Sequence, residues 1–168
     1  FPVWLPQTQT WMYNQVKQLQ QLNIEPHVVC ERTANLDQFS VDNIHSLEHE
    51  PLYKRMWDKR LRKLKIRHHL NYLVNIANKI DGQIIHSHFG NIGWANLGAV
   101  RKLKVKHVVT FYGQDVNKLP TQYPIWRERY SELFSEVDQV LCEGSHMARC
   151  VKELGCPAEK VKVQHLGV

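Results

Sequence analysis

From residue 82 to residue 163 the chain alternates β-branched runs with amphipathic ones: QIIHSHF, IGWANLGAVRKLK, HVVTFY, YPIWRERYSELFSEV, QVLCE, SHMARCVKEL and KVKVQHL. Strands separated by helices cannot pair as tight hairpins. Each helix has to cross the sheet before the next strand begins, and right-handed crossovers make the strands parallel. The expected class is therefore α/β, a parallel sheet with helices on both faces. The helix opening at Ser145 carries both end signals, with Ser145 as N-cap, Met147, Ala148, Val151 and Leu154 as its inward stripe, and Gly155 then Pro157 as its stop.

The first half is less regular. After Thr8, an expected N-cap, Trp11, Met12, Val16, Leu19 and Leu22 recur at helical spacing as far as Asn23. PHVVCER reads as a strand, and residues 34–50 as a loop. Residues 52–80 are helical in two phases, Trp57, Leu61 and Leu64 in one and Ile66, Leu70, Leu73, Ala77 and Ile80 in the other, with a slip near Lys65 that predicts a kink or two helices.

The 168 residues suffice for one domain with a sizeable core, and 43% hydrophobic with 23% charged residues excludes disordered and collagen-like classes. No apolar run approaches the roughly 20 residues a membrane span needs, and no charged-then-apolar leader is seen, so the expected location is cytoplasmic. Cys30, Cys142, Cys150 and Cys156 form no CxxC pair and read as reduced, unpaired thiols. The net charge of +6 favours anionic partners. Its densest part is the run from Lys54 to Arg67, interleaved with Trp57, Leu61 and Leu64. Such a helix suits either an anionic membrane surface or the solvated face of a packed helix. No recognition-helix signature, RNP motif or zinc module accompanies the charge, so nucleic acid is not an expected partner.

In parallel α/β sheets ligands bind beyond the carboxyl ends of the strands. Three ends carry chemistry here, HSHFGNIG, TFYGQD and CEGSH, each with a glycine and a helix N-terminus that could face an anion. The paired His86 and His88 raise a metal, but no cysteine or carboxylate ligands follow at recognised spacing and no metal is expected. Both imidazoles can be satisfied inside the fold, and His88 beside the turn is equally suited to a ligand. Gly90, Gly93 and Gly98 make no GxGxxG fingerprint and no GxxxxGK[ST] occurs, so dinucleotide and P-loop chemistry lack support. Gly98 is expected to let its helix approach the sheet beside Ala95 and Ala99. No GxSxG elbow is present.

The ordered set IIHSHFGNIGWANL, VVTFYGQDV and VLCEGSHMARCVKELGCPAEKVKVQHLGV resembles the N-terminal half of the retaining, nucleotide-sugar-dependent glycosyltransferases of the GT-B fold, glycosyltransferase group 1 or family 4. The opening FPVWLPQTQTWMYNQVKQL fits the loop and first helix of that family. The resemblance implies that residues 1–168 are a Rossmann-like, acceptor-side domain, with the nucleotide-sugar domain and its paired glutamates outside this chain. It implies transfer of a sugar to a glycan or glycolipid with retention, a nucleotide sugar as co-substrate, no other cofactor, and inactivity of this segment alone. Many relatives read TFHGxD where this chain has Tyr112. A phenol near pKa 10 is no base at neutral pH, but it can hydrogen-bond and stack on a sugar. The implied acceptor or substrate contacts are His88, Phe89, Gly90, Tyr112, Gly113, Gln114, Gly144 and Ser145, with Asp115 as the candidate catalytic carboxylate or, alternatively, a turn ligand. The implied setting is cytoplasmic, peripheral on the inner membrane face through the basic helix 54–67. A non-catalytic α/β module binding an anionic small ligand at the same strand ends is the other reading.

Overall fold

The computed structural model describes residues 3–5, 10–64 and 70–165. It divides into two compact units, one formed mainly by residues 1–64 and the other by 65–165.

In the first unit, β1 (Val3–Trp4) pairs in parallel with β3 (Arg32–Thr33), and β2 (Val28–Cys30) pairs in parallel with β4 (Ile44–Ser46). Helix α1 (Thr10–Gln21) ends before Asn23, whose left-handed φ of 57° marks the stop read from the sequence. Met12 of this helix enters a core with Trp4, Leu5, Val28, Cys30 and Val41. The expected loop at 34–50 contains β4 and a 3-10 turn, Leu47–His49. Its strand is only three residues long, too short to show a period. One oxygen of Glu48 accepts from Thr33 N at 3.0 Å, Thr33 Oγ1 at 2.6 Å and Ser46 Oγ at 3.0 Å, tying the two parallel pairs together. The 52–80 stretch resolves into two helices, α2 (Leu52–Lys63) and α3 (Asn71–Lys79), the second lying in the second unit. The expected cap Thr8, the slip at Lys65, and Lys65 and Arg67 of the basic run lie outside the described residues, as do the side chains of Arg62 and Lys63.

The second unit carries the alternation. Its strands β5 (Ile84–His88), β6 (Lys106–Phe111), β7 (Gln139–Cys142) and β8 (Val161–Val163) are all parallel and lie side by side in chain order. Between them run α4 (Gly90–Leu103), the short α5 (Leu119–Gln122) with α6 (Ile125–Glu136), and α7 (Ser145–Glu153). Val109 and Phe111 of β6 and Val140 and Cys142 of β7 share one core with Leu97 of α4, Tyr130, Leu133 and Phe134 of α6, and Met147, Ala148 and Val151 of α7. Alternate strand residues thus point to one helical layer. The architecture is Rossmann-like α/β, parallel strands flanked by helices. All four cysteines are unpaired thiols. No described helix is long and apolar enough to cross a membrane.

α4 approaches the sheet closely at Gly90 and Gly93. Ala95 is exposed and Gly98 half-buried. A Cβ at Gly90 would lie 2.2 Å from the Phe111 ring, and one at Gly93 would lie 2.9 Å from Val109. Gly113 and Gly144 have open space around a hypothetical Cβ and φ of −59° and −167°, both ordinary for any residue. Gly90→Ala is therefore expected to destabilise the chain by about 1–3 kcal/mol, whereas Gly113→Ala stays near neutral. Urea denaturation midpoints of the two variants check this. Equal effects would show that Phe111 moves aside without cost.

Candidate functional site

The residues gathered beyond the carboxyl ends of β5 and β6 form one hydrogen-bonded assembly. Alternation along β5 sends Ser87 towards the helices and sends His86 and His88 to the opposite face. In register, His88 stands opposite Thr110. His86 Nε2 meets Thr110 Oγ1 at 2.7 Å, so His86 is satisfied inside the fold. His88 Nδ1 meets the Tyr112 hydroxyl at 2.7 Å. The two imidazoles stack with centroids 4.4 Å apart, and the Tyr112 ring lies 4.8 Å from that of Phe89. Burial lowers the His86 imidazole to about 4 and takes His88 well below its ordinary 6.5, helped by the neighbouring His86. Both are neutral at physiological pH. Burial also drives the Tyr112 phenol far above 10, so it is a hydrogen-bonding hydroxyl and never a phenolate.

On the helix side the buried Ser87 Oγ meets His107 Nε2 at 2.9 Å and accepts from Asn96 Nδ2 at 3.0 Å. Burial holds His107 at about 4 as well.

Asp115 locks the two loops together. Its side chain is 1% exposed. Oδ2 accepts from the Gly90 amide at 2.6 Å and Oδ1 from the Tyr112 amide at 2.8 Å. The first amides of a helix have no partner within it, and Phe89, the residue before α4, offers no side-chain cap. Asp115 supplies that cap from 25 residues downstream and places its charge at the positive end of the helix dipole. Its backbone carbonyl in turn accepts from the buried Tyr130 hydroxyl at 2.9 Å. Burial raises the Asp115 carboxyl to about 6 against the pull of the Gly90 and Tyr112 amides. The expected anion-facing N-terminus of α4 is thus filled by the protein's own carboxylate.

The sequence-derived residues separate into two layers. His88, Gly90, Tyr112 and Asp115 are buried, whereas Phe89, Gly113 and Gly144 are half-exposed and Gln114 and Ser145 are exposed. Gln114 opens a π-helical segment, Gln114–Lys118, that leads into α5. Ser145 is the first residue of α7 rather than its cap. Gly144 holds the cap position in the extended conformation usual there and, having no side chain, offers none to cap the helix. The loop strain falls on Phe89, whose φ of 72° is left-handed although the neighbouring glycine could have taken it. Its amide donates to Thr110 O at 2.9 Å and its carbonyl accepts from Gly93 N at 2.9 Å, which holds the conformation. Thr110 is the site residue that sequence reasoning missed. Only the β5–β6 register sets it opposite His88 and within hydrogen-bond reach of His86, and nothing in a single strand encodes register.

Among the described residues no three His, Cys, Asp or Glu side chains converge as metal ligands. What the assembly offers is a neutral, aromatic and hydroxyl-bearing wall, with amide and hydroxyl donors at its outer edge. The Glycosyltransferase Family 4 model matches the chain over residues 8–168. No curated protein matches it.

Proposed function

The chain belongs to glycosyltransferase family 4, and from that premise we propose that it forms the acceptor-side half of an enzyme that transfers a sugar from a nucleotide sugar to a glycan or lipid-linked acceptor with retention of configuration. The donor domain lies outside this chain in that reading, and the chain alone is inactive. The observation that carries the proposal is the His88–Tyr112 hydrogen bond at the strand ends, with the Phe89 ring tilted against that of Tyr112.

Neither side chain is placed for acid or base work: burial makes the His88 imidazole a weak base with its Nδ1 already engaged, and Tyr112 holds its proton. Phe89, Gly113 and Gln114 are the accessible surface on which an acceptor sugar rests, and His88 and Tyr112 set its shape from behind. Asp115 acts in this scheme as a positioning residue, because both its oxygens are taken by backbone amides. The open N-terminus of α7, at Gly144 and Ser145, suits a phosphate of donor or acceptor.

The test is a transfer assay on the full-length protein with a panel of nucleotide sugars. Tyr112→Phe removes the hydroxyl from His88 and is expected to raise the acceptor KM about tenfold with a smaller change in kcat, as loss of one buried hydrogen bond implies. An unchanged KM would remove Tyr112 and His88 from the acceptor site. No turnover with any nucleotide sugar would favour the anion-binding module.

A further inference from the structure

Among the described residues no carboxylate pairs with Arg129. Its guanidinium sits in the corner between two indoles set at 81° to each other, 4.4 Å from the centre of the Trp94 ring and 4.7 Å from that of Trp126. Such contacts fix the side chain and leave the N–H edge of the fork to recognise an oxyanion. The acids that α6 turns to α4 are already engaged. Glu132 accepts from Trp94 Nε1 at 2.7 Å and from Arg101 Nη2 at 2.6 Å, and Glu136 accepts from Arg101 Nε at 2.8 Å. Arg129 is half-buried, so a carboxylate that satisfies it has to come from outside the chain.

An unpaired carboxylate stands one residue away. Tyr130, Leu133 and Phe134 turn one side of α6 to the core. At about 100° per residue the exposed Glu128 falls on the opposite crest, with Arg129 on its α4 side. Ile125, three and four residues before them, lies on the same stripe, and Tyr123 precedes it; the two are 46% and 56% exposed. The face is balanced in charge, with Arg101, Arg127 and Arg129 against Glu128, Glu132 and Glu136. A polyanion would meet those acids and be repelled. The partner that fits brings an acid for Arg129, a base for Glu128 and apolar surface for Ile125. A second α6 brings all three. In a two-fold interface residue i meets residue j and j meets i. With two α6 helices antiparallel about an axis between positions 128 and 129, Glu128 of each copy reaches Arg129 of the other, and Ile125 of each shields the pairs from water.

We propose that the chain self-associates as a two-fold dimer through α6, held by two reciprocal Glu128–Arg129 pairs. This goes beyond the sugar-transfer reading and stands without it, because it concerns assembly and not turnover.

Sedimentation velocity of the full-length protein over the micromolar range tests it, and a monomer–dimer equilibrium is expected there. Arg129→Glu sets like charges together twice across the axis and is expected to weaken the dimer at least about 100-fold. Glu128→Arg does the same from an exposed position whose side chain has no described ion pair or hydrogen bond to lose, and the same factor is expected. An equimolar mixture of the two variants is expected to recover association, since the exchanged signs then meet across the axis. Unchanged circular dichroism confirms that the variants fold, and Glu128→Arg carries the test alone if loss of the indole contacts unfolds Arg129→Glu. A protein that stays monomeric throughout the range overturns the proposal. So does a dimer that Glu128→Arg leaves intact, or a mixture of the two folded variants that does not associate.

Discussion

Asp115→Ala is expected to lower the unfolding free energy of the chain by about 3 kcal/mol, from two buried donors each worth roughly 1–3 kcal/mol once unpaired, less the desolvation cost that the carboxylate no longer bears. The Gly90 and Tyr112 amides lose acceptors at 2.6 and 2.8 Å, in a place where the carboxylate was 1% exposed. α4 loses its only described cap, and the β6 end loses the contact that orients Tyr112 towards His88. Asp115→Asn retains one acceptor oxygen but turns an NH2 group towards the second amide, so it should recover about half the loss. Hydrogen exchange separates this from a general loss of packing. In the parent chain the Gly90 and Tyr112 amides should be among the slowest, and in Asp115→Ala they should exchange faster than the amides of β7, where Val140 and Cys142 are fully buried. Exchange at Gly90 and Tyr112 that does not change would mean the carboxylate holds neither loop. The same variant in the full-length enzyme should raise acceptor KM and lower kcat together, since it displaces the wall as a whole.

The alternation of strand and helix after residue 82 could be read from sequence because α4, α6 and α7 are long enough to show their own period and the runs between them are rich in β-branched residues. Gly155 takes φ 101° after α7, as a helix stop followed by proline requires. The strand Ile44–Ser46 could not be read, since it sits in a polar stretch with a single β-branched residue and its pairing with Val28–Cys30 is a long-range event. The candidate site divides in the same way. Motif position brought His88, Tyr112 and Asp115 to one sheet edge. Their depth was not legible, because whether a polar side chain at a strand end faces solvent or a neighbouring amide depends on the register of two strands and on a contact spanning 25 residues. Glycine roles were misread for a related reason. Sequence marks a glycine as a turn signal, whereas Gly90 is required by the face of the Phe111 ring and the left-handed conformation sits on Phe89. The exposure of α2 could not be seen either: Trp57 and Leu64 are exposed and Leu61 half-buried, whereas their periodicity defines an apolar stripe without saying which way it points.

Lowering the pH from 7 towards 4.5 is expected to destabilise the chain, with stability falling by at least about 1.4 kcal/mol per pH unit near pH 5. Three imidazoles drive this. Burial lowers His86 and His107 to about 4 and His88 well below 6.5, so each binds a proton in the unfolded chain near 6.5 and stays neutral in the folded one. Such groups contribute stability that is complete above pH 6.5 and is lost as pH falls towards the folded values. Asp115 acts in the opposite sense. Its folded carboxyl, raised to about 6 from 3.8, takes up a proton in the native state before the unfolded chain does, which favours the native state as pH falls. Between about pH 4.5 and 6 the unfolded chain thus binds two protons more on His86 and His107 and one fewer on Asp115, a net excess of one, worth about 1.36 kcal/mol per pH unit, and His88 adds to the loss in the same sense. Over the 1.5 units below pH 6 the loss reaches about 2 kcal/mol before His88 is added, a large share of the 5–15 kcal/mol typical of a domain. His107→Gln, whose amide can still meet Ser87 Oγ, should lower the slope by about one proton. Asp115→Asn should steepen it by about one while lowering stability throughout, because it removes the only group of the four that resists the trend. Urea midpoints measured at intervals between pH 4.5 and 7 read both slopes. A flat profile would mean that water reaches these imidazoles and that the wall behind Phe89 is not dry.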